Sequence, residues 1–326
     1  MHDQRMLKVV VIEPGYASYT IEHDILKEYV SEILIVRKDA SYDEKVAILK
    51  DAEGVLVREA VVDKKLIEQM EHCRVVVRYG VGVDNIDLEA AKARRIFVAN
   101  VPQYGAVHEV SCHAVAMVLA VARLIVKRDR AVRNGEWGIG EAEPIYSFRG
   151  KGLGIIGFGN IARSFLEKMR PFGFKDIWIY HPRLSSEELS KFGGTKATIE
   201  EVCRNSDVIS LHAPLTEHTR HILSGDEFAM MSPRTIVINT GRGALIDEQA
   251  LVQALKEGTI KGAGIDVFEN EPPATDNPLF KLDNVVVSDH TAWYSDRSLG
   301  ELQAKAAHEV YRVFSGEKPA SWLNPW

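Results

Sequence analysis

The sequence is poor in cysteine, with three in 326 residues, Cys73, Cys112 and Cys203, and none of them forms a short paired spacing. This excludes a disulfide framework and is typical of reduced, cytosolic proteins. A long apolar run is also missing, because the best candidate, residues 114–126, is too short to span a bilayer and contains Arg123. The charged residues 1–7 do not resemble a secretory signal. We therefore expect a cytoplasmic protein that does not bind membranes.

An excess of positive charge is absent as well. The formal net charge is −6, which argues against nucleic acid as a partner. The 11 histidines show no ligand spacing typical of a metal centre, so no metal is predicted. A chain of 326 residues exceeds the size of most single hydrophobic cores, which seldom grow past roughly 250–300 residues, and therefore predicts two domains.

What the sequence does contain is a regular alternation of apolar, strand-like segments with helical patterns. The first series of strands is predicted at residues 7–12, 33–36, 54–57 and 74–77. The second begins at Leu153 and continues at 177–180, 208–211, 235–239, 262–266 and 285–287. Residues 105–126 are predicted to form one long buried helix, residues 132–149 a connecting arm, and residues 297–314 a last helix. The alternation predicts an α/β fold with two doubly wound parallel-sheet domains.

A glycine-rich turn opens the second series and reads Gly157-Phe158-Gly159-Asn160-Ile161. Gly157 permits a tight turn after the strand, and Gly159 allows a pyrophosphate to approach the backbone. The following helix N-terminus favours phosphate through its free N–H groups. The alternative is an ordinary turn of an α/β protein. The position of this glycine-rich turn between a strand and a helix favours a dinucleotide site formed by these five residues.

The next strand ends in His181-Pro182-Arg183, where NAD-binding folds commonly carry an acid. Such an acid accepts hydrogen bonds from the ribose and repels a 2′-phosphate. Without it, Arg183 could pair with the 2′-phosphate of NADP. Alternatively, Arg183 is solvated and His181 bonds the ribose. The sequence therefore leans to NADP and leaves NAD open.

Three candidate catalytic residues, Arg242, Glu271 and His290, each follow a predicted strand. Because the carboxyl ends of parallel strands line one crevice, we expect these side chains to meet. His290 suits the acid that protonates a carbonyl oxygen, and a neighbouring Glu271 would stabilise its imidazolium. Arg242 would hold the substrate carboxylate. Each residue alone could be an ordinary loop or surface residue, but together they predict the reduction of a 2-keto acid.

These motifs resemble the D-isomer-specific 2-hydroxyacid dehydrogenases over essentially the whole chain. The resemblance rests on residues 154–163, 212–216, 238–247 and 264–272 and on His290. It implies that Arg242, Glu271 and His290 are catalytic and that Asp266 contacts the nicotinamide. Further implied cofactor contacts are His212, Ala213, Pro214, Thr219, Thr240, Gly241, Arg242 and His290.

The same resemblance implies a domain organisation and an assembly. A flavodoxin-like substrate domain is expected from residues 1–103 and 298–326, and a Rossmann cofactor domain from residues 104–297. A homodimer is expected through the cofactor domain, with the long helix and the arm at its interface. His181 and Asp289 depart from the family pattern, which commonly has a ribose-binding acid and a proline at these positions.

The substrate is expected to meet the loop after the fourth strand, where Tyr79, Val81 and Gly82 could offer backbone N–H groups as an anion nest. Arg58 matches a position that faces substrate in phosphoglycerate dehydrogenases, although it could equally be a solvated strand-end charge. Trp293 lies in a stretch similar to the C-terminal-binding proteins, corepressors in which this tryptophan lines the pocket. The alternative hypothesis is therefore a nicotinamide-sensing, corepressor-like binding protein with little turnover. Which 2-hydroxy acid is used stays open.

Overall fold

The computed structural model describes residues 6–138 and 143–326. The chain divides into two units, unit 1 with Met1–Gly105 and Ser295–Trp326, and unit 2 with Ala106–Tyr294. The predicted boundaries, 103/104 and 297/298, lie about two and three residues from this division.

The elements are as follows. The strands are β1 Val9–Ile12, β2 Ile33–Val36, β3 Gly54–Val57, β4 Val75–Arg78, β5 Phe97–Ala99, β6 Gly152–Ile156, β7 Asp176–Tyr180, β8 Thr195–Lys196, β9 Val208–Leu211, β10 Ile236–Asn239, β11 Gly262–Ile265 and β12 Val285–Val287. The α-helices are α1 Thr20–Leu26, α2 Tyr42–Leu49, α3 Lys64–Ile67, α4 Leu88–Ala93, α5 Ala106–Ala122, α6 Ile125–Arg133, α7 Asn160–Met169, α8 Ser186–Ser190, α9 Ile199–Asn205, α10 Gly225–Ala229, α11 Glu248–Glu257 and α12 Asp296–Phe314.

Unit 1 is built on a parallel sheet with the strand order β2-β1-β3-β4-β5. Every residue of β1 and β3 is buried, which explains why these strands read as continuous apolar runs without alternation. The last helix, α12, packs on α1 and β4 and returns the chain to this unit. Beyond it, Asn324 covers the outer strand: its Oδ1 accepts from the Val98 N–H at 2.8 Å, and its amide donates to the Ile96 carbonyl at 2.9 Å.

Unit 2 contains a seven-stranded parallel sheet with the order β12-β11-β10-β9-β6-β7-β8. The chain runs outward from β6 in one direction through β7 and β8 and then in the other direction from β9. This reversal creates a crevice at the carboxyl ends of β6 and β9, where doubly wound sheets bind their ligands. The predicted fold class, two doubly wound parallel-sheet domains, is confirmed.

The long helix predicted for residues 105–126 is wrong in one respect, because the structure has two helices there. Leu124 adopts a left-handed conformation with φ of 55° and separates α5 from α6. Such a conformation is uncommon for a residue with a side chain, and here the Leu124 side chain is buried, which offsets part of its cost. Among the described residues no single helix is long and apolar enough to cross a membrane, while α5 and α6, bent by 58°, pass that test only as a pair.

The arm predicted for residues 132–149 is described only in part. Residues 132 and 133 belong to the end of α6, and residues 134–138 and 143–149 form neither helix nor strand. Residues 139–142 lie outside the described part of the chain. Two short strands, β5 and β8, were not predicted.

Candidate active site

The glycine turn of unit 2 joins β6 to α7. Gly157 has φ of 85°, and a Cβ on it would lie 2.5 Å from the Ala213 nitrogen, so no side chain fits there. A Cβ on Gly159, in contrast, would point into open space. The backbone therefore approaches the loop after β9 closely at the first glycine and leaves room at the second.

The N-terminus of α7 can receive an anion. Gly159 is its N-cap residue and provides no side-chain hydrogen bond to the first turn, in which Asn160 and Ile161 lie. Free N–H groups and the helix dipole at such an end suit a phosphate. The side chain of Phe158 is 1% exposed and packs on Phe192 at 5.2 Å between ring centroids, so only its backbone can serve a ligand. These residues fit a dinucleotide.

His181 follows β7 and is held by the backbone after it. Its Nδ1 accepts from the Arg183 N–H at 3.2 Å and from the Leu184 N–H at 3.0 Å. The neutral ring therefore carries its proton on Nε2, which makes this nitrogen a donor. Burial, followed by the charges of Arg183, Arg163 and Lys196, lowers the pKa of His181. The positive charges of three side chains thus act on His181 at the end of β7.

Arg163 belongs to this cationic group and was not predicted. Its guanidinium carbon lies 4.9 Å from the ring centroid of Phe192 and 5.7 Å from that of Phe158. Its Nε is buried and has no hydrogen-bond partner among the described residues. The sequence signal was available, since Arg163 lies only three positions inside the helix that begins at Asn160.

The loop after β9 contains the predicted cofactor residues His212, Ala213, Pro214 and Thr219. His212 is hydrogen-bonded to Ser210 at 2.9 Å, and burial lowers its pKa to about 3, so the ring stays neutral. The Thr219 hydroxyl donates to the Pro214 carbonyl at 2.7 Å and thereby closes the loop. Ala213 lies beneath the glycine turn.

After β10, Asn239 shapes the turn that carries Thr240, Gly241 and Arg242. Its Oδ1 accepts from the Gly241 N–H at 3.0 Å, and its Nδ2 donates to the Arg242 carbonyl at 2.9 Å. The Thr240 hydroxyl is buried and has no hydrogen-bond partner among the described residues. A buried hydroxyl of this kind supports a ligand in the crevice.

Glu271 and His290 are brought together, as their positions after β11 and β12 predicted. The His290 Nδ1 lies 2.7 Å from Glu271 Oε2, and the Phe268 N–H donates to Glu271 Oε1 at 3.0 Å. Burial favours the protonated acid, but the hydrogen bond and charge of His290, the Phe268 N–H and the Arg242 charge together lower the pKa of Glu271. The carboxylate therefore accepts from Nδ1, and Nε2 is left for a proton transfer.

Asp266, expected to contact the nicotinamide, is 1% exposed and holds the loop that contains His290. Its Oδ1 accepts from the Ser288 hydroxyl at 2.6 Å and from the Thr291 N–H at 3.0 Å, and its Oδ2 accepts from the Ala292 N–H at 3.1 Å. The indole N–H of Trp293 donates to the His290 carbonyl at 2.9 Å. Trp293, which was predicted to contact substrate, thus supports the backbone of the histidine.

The residues predicted to bind substrate in unit 1 lie at the carboxyl ends of β3 and β4. The Tyr79 side chain is 2% exposed and its hydroxyl donates to buried Glu22 at 2.7 Å, so only its backbone is left for a ligand. In the following loop Val81 is exposed and Gly82 half-buried. Arg58 contacts the Glu59 carboxylate at 3.3 Å.

Arg78 was not predicted, although it directly precedes Tyr79 in the sequence. Its guanidinium lies 3.6 Å from the same Glu59 oxygen that Arg58 contacts. Two guanidinium groups therefore share one carboxylate at this end of the sheet. Among the described residues, no group of three or more His, Cys, Asp or Glu side chains is arranged to hold a metal ion.

Comparison with known proteins identifies the family. A family model described as D-isomer specific 2-hydroxyacid dehydrogenase, NAD binding domain, matches residues 115–292. A glyoxylate reductase of Thermococcus litoralis is 40% identical over 270 residues, which cover 81% of this chain and 80% of the relative. A D-3-phosphoglycerate dehydrogenase of Methanocaldococcus jannaschii is 36% identical over 323 residues, 98% of this chain but only 60% of that protein.

Solved structures agree with this relationship. D-Lactate dehydrogenase from Aquifex aeolicus, complexed with NAD and lactic acid, superposes with a TM-score of 0.87 at 25% identity and covers 98% of this chain and 99% of its own. An acyclic imino acid reductase, Bsp5, in complex with NADPH and D-Arg, has a TM-score of 0.85 at 28% identity and covers 97% and 100%.

The chain belongs to the D-isomer-specific 2-hydroxyacid dehydrogenase family. It is a nicotinamide-dependent oxidoreductase that transfers a hydride between its cofactor and a 2-keto or 2-hydroxy acid. The prediction of an enzyme is confirmed, and the corepressor-like alternative is not favoured.

Proposed function

We propose that His290 is the proton donor in reduction of a small 2-keto acid to the D-hydroxy acid, with Glu271 as its partner. The observation that carries this assignment is the 2.7 Å contact between His290 Nδ1 and Glu271 Oε2 in a loop held by Asp266. A bound nicotinamide dinucleotide supplies the hydride. The protein must then supply the proton and hold the substrate.

His290 donates its Nε2 proton to the carbonyl oxygen as negative charge develops there. Ionised Glu271 stabilises the imidazolium that exists before this transfer, and Arg242 binds the substrate carboxylate through its two-pronged guanidinium. In the oxidation direction the same Nε2 accepts the hydroxyl proton. General acid–base help of this kind contributes about 10²–10⁴-fold in rate.

The coenzyme is proposed to be NADPH, with NADH as the weaker substrate. The support is the positive charge of Arg183, Arg163 and Lys196 that acts on His181, in a place where an acid would repel a 2′-phosphate. The unpartnered Arg163 Nε and the Nε2 donor of His181 add two further donors. A bound NAD and a bound NADPH each occur in structurally similar proteins.

Short 2-keto acids are the proposed substrates, with glyoxylate and hydroxypyruvate first, because several relatives are named glyoxylate reductase and one glyoxylate/hydroxypyruvate reductase B. Within unit 1, the guanidinium groups of Arg58 and Arg78 lie beside one carboxylate, that of Glu59, which suits an anionic group. The set of keto acids to be tested therefore includes one with a phosphate or a second carboxylate.

A homodimer through unit 2 remains part of the proposal. Ile125, Val132 and Trp137, on α6 and just after it, are exposed by 55%, 53% and 91%. Exposed apolar side chains so close together are typical of an interface. Light scattering of the purified protein measures the mass, and Trp137→Glu should shift a dimer toward monomer.

The decisive experiment follows oxidation of NADPH and NADH by absorbance against this panel of 2-keto acids. Turnover that is lost in His290→Asn supports the proposal. Nucleotide binding without turnover of any keto acid contradicts it.

A further inference from the structure

His290 has an unusual backbone that needs support. Its φ is 56°, in the left-handed region that residues with side chains rarely adopt. Its N–H donates to the Asp266 carbonyl at 2.8 Å, and the next two N–H groups, of Thr291 and Ala292, donate to the Asp266 carboxylate. The conformation of His290 therefore depends on one buried aspartate.

Asp266 in turn is connected to a residue on a different element. Its Oδ1 accepts from the Ser288 hydroxyl at 2.6 Å, and the same hydroxyl lies 2.9 Å from His113 Nε2. Because Ser288 has one proton and gives it to the carboxylate, its oxygen must accept from His113. The hydrogen bonds thus run in one direction, from His113 to Ser288 to Asp266.

His113 lies on α5, 175 residues before Ser288 in the sequence. Its ring nitrogen is also 3.7 Å from Asp266 Oδ1. None of the reaction roles above uses His113 or Ser288. Their geometry nevertheless connects helix α5 with the backbone that carries the proposed acid.

We propose that His113 and Ser288 are positioning residues, which orient the Asp266 carboxylate and thereby hold His290 in its left-handed conformation. The inference rests on the proposed role of His290. His113 acts by donating one hydrogen bond, so a side chain that keeps a donor at this position should preserve the effect.

The test compares His113→Phe, which keeps a ring but removes the donor, with His113→Gln, which keeps a donor. We expect the kcat of His113→Phe to fall about tenfold while the KM for the keto acid changes less than about twofold, because Arg242 is untouched. His113→Gln should retain kcat within about threefold of the wild type. His108→Phe is the matched control, since His108 is on the same helix and contacts Cys112 instead, and it should leave kcat unchanged.

A double variant shows whether His113 acts through Ser288 or whether the two substitutions lower kcat independently. If His113 acts through Ser288, His113→Phe combined with Ser288→Ala should be no slower than Ser288→Ala alone. Additive losses, or equal losses in the Gln and Phe variants, would overturn the proposal.

A readout independent of turnover is the amide NMR signals of Thr291 and Ala292. We expect both to move in His113→Phe and to stay in place in His108→Phe. If they move although the wild type reduces no keto acid, the positioning network stands and the proposed function fails. If the wild type is active but neither the signals nor kcat respond to His113→Phe, the positioning role is wrong.

Discussion

Replacing Glu271 by glutamine tests how a neutral partner affects His290 as the proton donor. The substitution preserves shape and leaves an oxygen for the Phe268 N–H, but it removes the negative charge 2.7 Å from His290 Nδ1. The imidazolium then loses its charged partner, while the neutral imidazole is affected much less. The His290 imidazolium should therefore be less stable in this variant than in the wild type.

The size of the effect follows from the contact. A hydrogen bond to a charged group contributes about 1.5–3 kcal/mol, and about 1.4 kcal/mol corresponds to one pH unit or to a tenfold rate. The side chains of Glu271 and His290 are 31% and 24% exposed, so solvent screening places the effect toward the lower end. In a plot of kcat for reduction against pH, we expect the fall in kcat on the alkaline side, the basic limb, to occur about one pH unit lower. At neutral pH, kcat should fall about tenfold.

The assay is kcat for keto acid reduction at saturating coenzyme between about pH 5 and about pH 9, the range around histidine titration. Asp289→Asn is the matched control, because this carboxylate neighbours His290 in the sequence but contacts the Thr291 hydroxyl. It should move the limb much less. A basic limb that stays in place in Glu271→Gln would refute the role given to this carboxylate.

Four further outcomes are expected. His290→Asn should lower kcat by about 10²–10⁴-fold with little change in coenzyme affinity measured by fluorescence titration, because asparagine tolerates the left-handed backbone but transfers no proton. Arg242→Lys should cost about 1–3 kcal/mol in kcat/KM, since a point charge does not replace a bidentate guanidinium; unchanged kcat/KM would remove Arg242 from substrate binding. Arg183→Ala should raise the KM for NADPH severalfold and leave that for NADH, and equal changes for both would contradict 2′-phosphate binding. For His212, the folded pKa of about 3 lies below the unfolded value near 6.5, so its contribution to stability is complete above about pH 6.5 and is lost as the pH falls toward 3. Urea unfolding at about pH 7 and about pH 5 should therefore show a stability loss about 1–2 kcal/mol smaller in His212→Gln than in the wild type.

The fold could be predicted because parallel strands are buried on both faces and leave continuous apolar runs such as β3 and β9. Helix boundaries were harder to predict from the sequence. The break at Leu124 depends on a left-handed residue with a side chain, which local propensity disfavours and which burial supports. Short edge strands such as β8, with two residues, leave too little pattern to detect.

At the site, the meeting of Glu271 and His290 could be predicted, since both follow neighbouring parallel strands. The contact of His113 with Ser288 could not, because serine and histidine are common and 175 residues separate them. The contact of Tyr79 was also beyond prediction. The sequence predicts the loop that follows Tyr79, but Glu22, the buried acceptor of the Tyr79 hydroxyl, looks in the sequence like an ordinary acidic residue of a helix.

The discontinuity of unit 1 has a consequence for synthesis on the ribosome. Unit 2 is one unbroken stretch of chain, Ala106–Tyr294, so all its strands have been synthesised before residue 295 is added. Unit 1 is completed only after unit 2, because α12, which packs on β4, and Asn324, which bonds to β5, lie in its second segment, Ser295–Trp326. While the seven-stranded domain is synthesised, the surface of the nascent five-stranded sheet that later packs on α12 and its outer strand β5 therefore stay uncovered. Those are the surfaces on which we expect a nascent-chain chaperone to bind.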